Sequence, residues 1–130
     1  MSPGILKYMS YFTIIKLPTF FDERGGLTVL DGALPFEIKR TFWIYGADGH
    51  VRGGHRHVKT RQAMIAVTGS VSMYMNDGLR SETVVLEDPS HCLLVEPKDW
   101  HTMNFGPGSV LLVISSEPYD RADYIDAQYA

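Results

Sequence analysis

The stretch GGHRHVKTRQAMIAVTGS, residues 53–70, decides how this chain is read. His55 and His57 stand two apart, so on an extended backbone both imidazoles emerge on one face. RQAMIAVT, 61–68, is a short, mostly apolar run ended by Gly69 and Ser70, the mark of a strand closed by a turn. The stretch therefore predicts two strands, with chemistry on the first and core on the second.

Outward in both directions the same grammar repeats. Candidate strands are YFTII (11–15), LTVL (27–30), FEIKRTFWIY (36–45), VSMYMN (71–76), ETVVLE (82–87), HCLLVE (91–96), WHTMNF (100–105) and SVLLVISS (109–116). NDG at 76–78, DPS at 88–90 and GPG at 106–108 separate several of them, where Gly supplies positive φ and Pro fixes a turn. Almost nothing recurs at helical period, so the chain is predicted to be all-β, with enough strands for two sheets. In FEIKRTFWIY, alternation puts Phe36, Ile38, Arg40, Phe42 and Ile44 on one face and Trp43 and Tyr45 on the other. Arg40 is then a lone cation on an apolar face, either a partnered charge at the rim of the core or an anion contact inside a barrel.

Composition narrows the classes. One hundred and thirty residues suit a single domain, 1–130, with 1–10 an irregular lead-in and 117–130 a C-terminal tail closing as a short helix or strand. A net charge of −3 gives no field that would draw nucleic acid or an acidic membrane. No apolar run approaches the roughly 20 residues that span a bilayer, and the opening MSPGILKYMS has no export signal. The lone Cys92 lies in an apolar run, fitting a buried core residue and a reducing, cytoplasmic compartment.

Beyond the histidine pair, Gln62 and Gly69 follow at the spacing of the first cupin motif, and PKDWHTMN places Pro97, His101 and Asn104 much as the second motif does. The pattern resembles the cupin double-stranded β-helix, a jelly roll whose mouth holds small ligands. Where an oxygen-activating iron site has a carboxylate, this chain has the uncharged Gln62, so no metal is expected. Imidazoles in a barrel mouth can instead move protons near neutrality. Abstraction of a proton beside a ketone needs a base over the C–H bond and a donor at the carbonyl oxygen. His55 and His57 are candidates for these roles, with His101 or Arg24 on the second face.

RGGLTVLD, PFEIKR, RGGHRH, the MNDG hairpin, PKDWHTM and PYDRADYI together resemble the WxcM-like nucleoside-diphosphate-sugar 3,4-ketoisomerases, over about Tyr11 to Ile125. The resemblance implies a homodimer of jelly rolls, often with exchanged N-terminal strands, that shifts the ketone of dTDP-4-keto-6-deoxyglucose from C4 to C3 without a cofactor. Surface-glycan amino-sugar synthesis is the implied use of the product. In the matching RGxHxH pattern the first histidine, here His55, is the favoured base and His57 assists. Arg24 with His101 resembles the galacto-forming branch. Members usually carry Tyr where this chain has Phe42, which keeps the ring and loses the hydroxyl; Tyr74 is a candidate substitute. Arg40 and Arg52 are the candidate diphosphate contacts, since a guanidinium offers paired donors. The competing readings are a metal-dependent cupin dioxygenase and a non-catalytic nucleotide-sugar-binding module.

Overall fold

The computed structural model describes residues 4–6 and 10–130. Along the chain run β1 (Gly4–Leu6), β2 (Ile14–Lys16), β3 (Thr19–Asp22), β4 (Gly25–Thr28), β5 (Arg40–Ile44), β6 (Val51–His57) and β7 (Gln62–Thr68). They are followed by β8 (Val71–Asn76), β9 (Ser81–Leu86), β10 (His91–Val95), β11 (Trp100–Phe105), β12 (Val110–Ser115), a 3₁₀ turn over Arg121–Asp123 and β13 (Tyr124–Ile125). Two antiparallel sheets face each other, in the orders β1-β2-β10-β7-β12-β5 and β13-β6-β11-β8-β9, with β3 and β4 standing apart as a hairpin. This is the expected all-β, cupin-type jelly roll.

Between the sheets lies a core rich in methionine. Met64, Met73, Met75 and Met103 interdigitate there with Leu93, Val95, Leu111 and Val113. Unbranched thioether side chains fill the irregular space between twisted sheets. Behind the six-stranded sheet a second cluster gathers Ile15, Leu17, Ala63, Ile65, Cys92, Leu94 and Ile114 under a cover of Leu30, Ala33, Leu34 and Phe36. β7, β10 and β12 are thus apolar on both faces, which is why their sequences are continuous apolar runs and not alternating ones.

Three local readings change. The lead-in expected over 1–10 contributes β1, because the free edge of β2 accepts Gly4–Leu6 in register opposite Lys16–Ile14; residues 1–3 and 7–9 lie outside the described residues. The strand expected over 36–45 begins only at Arg40, and Phe36 belongs to the rear cluster and not to the face of Arg40 and Phe42. The segment around LTVL pairs with an unforeseen strand, Thr19–Asp22, in the separate hairpin.

Candidate active site

At one end of the sandwich both sheets turn polar. Arg40, Ser115 and Gln62 lie in one row across β5, β12 and β7, and the Gln62 Nε2 donates to Ser115 Oγ at 3.1 Å. On the opposing sheet His55 pairs with His101 and His57 with Tyr124. The His55 ring lies 5.1 Å from each of His57 and His101, and 4.6 Å from Tyr124. A cavity of about 480 Å³ opens here, its walls including Arg40, Phe42, Arg52, His55, Gln62 and Tyr124. Among the described residues neither Arg40 nor Arg52 has a carboxylate partner, so both guanidinium groups keep their donors for an anion.

A bulge aligns Arg52 with the histidines. Strict alternation along β6 would put Arg52 on the face opposite His55. The register with β11 shifts between His101 and Thr102: His55 pairs with His101, Gly53 with Thr102 and Arg52 with the core residue Met103. Gly54 is the extra residue, and Arg52, His55 and His57 all face inward. Gly53 and Gly54 have φ of 85° and 84°, and a Cβ on Gly53 would lie 2.9 Å from the His101 carbonyl oxygen. The double glycine of RGGHRH is therefore a conformational requirement.

The imidazoles are kept neutral. Burial pushes His101, wholly inaccessible, down to about 3, although its Nδ1 is 3.0 Å from the Asp99 carbonyl oxygen. Burial, reinforced by repulsion from His57, pushes His55 down to about 4. His57 is also lowered by burial, with Asp123 and Gln62 opposing the shift. Its Nδ1 lies 3.0 Å from Asp123 Oδ2. Burial works against the charge on Asp123, but bonds from the Thr60 hydroxyl, the Lys59 N–H and His57 outweigh it and hold the carboxyl below its ordinary range. An uncharged imidazole at neutral pH is available as a base.

Of the residues singled out in the sequence, His55, His57, His101, Gln62, Arg40, Arg52 and Phe42 come together here. The Arg40 guanidinium carbon sits 4.3 Å from the centre of the Phe42 ring. Two do not. Tyr74 points to the outer face of its sheet, where it packs at 6.1 Å against Trp100, because β8 alternates and Met73 and Met75 take the inward positions. Arg24 is at the exposed turn of the β3–β4 hairpin, bound to Asp22 of the same hairpin. Conversely, sequence reasoning missed Asp123, Tyr124, Thr60 and Ser115. The tail does more than close the fold: β13 pairs with the histidine strand and Trp100 Nε1 donates to the Asp126 carbonyl, pinning it there. PYDRADYI carried no periodicity that would reveal where its Asp and Tyr go.

Among the described residues no three His, Cys, Asp or Glu side chains are disposed to hold a metal ion. No described helix is long and apolar enough to cross a membrane. The buried Cys92 has its thiol pushed up to about 12 by burial, which makes it unreactive.

The chain is similar to known proteins over most of its length. The chain is 34% identical over 116 residues to a TDP-4-oxo-6-deoxy-alpha-D-glucose-3,4-oxoisomerase of Aneurinibacillus thermoaerophilus, covering 86% of this chain and 84% of that protein. It superposes with a TM-score of 0.86 on a double mutant of the QdtA 3,4-ketoisomerase from Thermoanaerobacterium thermosaccharolyticum in complex with TDP, at 40% identity over 92% of this chain and 90% of that one. With the WlaRB TDP-quinovose 3,4-ketoisomerase of Campylobacter jejuni the TM-score is 0.85 at 36% identity, covering 92% and 95%. The family model described as FdtA, WxcM-like, C-terminal, matches residues 10–130, and the chain belongs to that family.

Proposed function

We propose that this protein is a TDP-sugar 3,4-ketoisomerase that converts TDP-4-keto-6-deoxyglucose to a TDP-3-keto-6-deoxyhexose without a metal. The observation that carries the reading is the neutral His55 on the wall of a cavity that also holds two guanidinium groups free of carboxylate partners. Arg40 and Arg52 take the diphosphate, and His55 removes the proton from C3. The electron pair released forms the enediol as the C4 oxygen gains a proton. A proton then returns to C4, the C3 hydroxyl gives up its own, and the ketone stands at C3; no redox partner is consumed.

The galacto configuration at C4 is the outcome we assign, on the combination of Arg24 with His101. His101 is in the cavity wall's histidine cluster, but Arg24 lies on a hairpin away from its own cavity. That hairpin also exposes Phe20, Phe21 and Leu27, an apolar surface suited to another copy of the chain. The working unit in this reading is a homodimer whose exchanged hairpins carry Arg24 to the neighbouring cavity. Deoxy-sugar synthesis for surface glycans, in the cytoplasm, is the corresponding role.

The test is proton NMR of EDTA-treated protein with TDP-4-keto-6-deoxyglucose in deuterated water. A 3-keto sugar carrying deuterium at C4 is expected, and a parallel reaction in ordinary water, where C4 keeps a proton, should show the small H4–H5 coupling of the galacto configuration. An unchanged spectrum from folded protein that still binds TDP would overturn the activity. Turnover seen only after a divalent metal is restored would overturn its metal independence.

A further inference from the structure

The histidine cluster contains more unsatisfied polar atoms than a folded interior usually tolerates. His57 Nε2, His101 Nε2 and Gln62 Oε1 are all buried without a hydrogen-bond partner. Leaving such atoms unpaired costs stability, so a group of them at one place calls for a use. The other nitrogen of His57 is fully committed, because Asp123 Oδ2 lies 3.0 Å from Nδ1 and both side chains are almost inaccessible. A carboxylate has no proton to give, so Nδ1 must carry one, and Nε2 is then the unprotonated nitrogen. The Lys59 N–H at 2.8 Å and the Thr60 hydroxyl lock the carboxylate in place.

Those anchors alone would hold the tail without a histidine. With only 3% of its surface exposed, His57 has little room to touch a sugar directly, whereas its ring meets that of the cavity-lining His55 edge-on at 5.1 Å. We propose that Asp123, delivered by the C-terminal tail, is a positioning residue for proton transfer: it holds His57 as the Nδ1–H tautomer so that an unprotonated Nε2 faces the cluster and the pair stabilises the His55 imidazolium. The C3–H bond breaks, its proton goes to His55 and its electron pair to the enediol; Asp123 itself stays ionised throughout. This inference rests on the ketoisomerase reading.

Nitrogen-15 NMR of histidine-labelled wild-type protein reads the tautomer directly. A protonated Nδ1 and an unprotonated Nε2 at His57 are expected, and the reverse assignment would overturn the proposal whether or not any variant folds. Asp123→Asn should disturb that pattern and lower kcat by about a hundredfold or more, with KM and TDP affinity within about threefold. Unaltered kcat, or a proportionate loss of TDP binding and folded signal, would show that Asp123 serves only to anchor the tail. A wild-type protein with the expected tautomer and no isomerisation would instead refute the activity, so the two failures are distinguishable.

Discussion

His55 and His57 differ in how their surroundings use the same side chain. His55 is half-buried on the cavity wall, whereas His57 is enclosed and tied to Asp123. His55→Asn should keep the fold and TDP affinity and reduce turnover by about a hundredfold or more, the scale of a general base; near-native turnover in the NMR assay would remove His55 from that role. Because burial lowers His55 to about 4, the acidic limb of kcat/KM should fall well below the ordinary imidazole value, and a limb at or above 6.5 would contradict the neutral base. The histidine pair was legible in the sequence because two residues on a strand must share a face. Asp123 was not, since it lies 66 positions along the chain from its partner and nothing local marks the pairing.

At the scale of the element, β6 matters most. Its double glycine supplies a bulge that sets Arg52 and His55, three residues apart, on one face. Gly54→Val, which disfavours the positive φ of the bulge while keeping the residue count, should restore strict alternation between Arg52 and His55 and turn Arg52 outward. TDP binding measured by calorimetry should then weaken at least as much as in Arg52→Ala, about tenfold or more, with the β-sheet circular dichroism retained. Full TDP affinity in Gly54→Val would mean that the bulge does not present Arg52 to the ligand. The motif RGGHRH could be recognised by its residues, but its function as a bulge depends on the register with β11, which no local pattern specifies. β5 was easier: alternation placed Arg40 and Phe42 inward and Trp43, 60% exposed, outward.

The whole molecule couples the polar end of the sandwich to its stability. His55 and His101 have folded pKa values of about 4 and about 3, below the unfolded 6.5. The unfolded chain therefore binds more protons between those values, so stability should be undiminished above about 6.5 and fall as pH drops towards 4. Urea titrations at fixed protein concentration should show this slope, and His101→Gln should flatten it. In the core, Leu111→Ala should cost about 2–5 kcal/mol, because the fully buried side chain leaves a cavity between two sheets that cannot close independently. For the assembly, light scattering should give twice the chain mass. Charging the exposed hairpin with Phe21→Asp and Leu27→Asp should yield monomer with reduced turnover, and an unchanged dimer would show that this surface is not the interface.

By itself the sequence determined the period of nearly every strand, the turns between them, the shared face of His55 and His57 and the inward placement of Arg40 and Phe42. These follow from local stereochemistry: side-chain alternation, positive φ at glycine and the restricted φ of proline. Only the tertiary structure decided that Arg52 faces inward, that Tyr74 faces out, that the tail supplies Asp123 and Tyr124, and that Arg24 stands apart from its own cavity. Each of those depends on which strands become neighbours and in what register, a property of contacts between distant segments that no short window of residues contains.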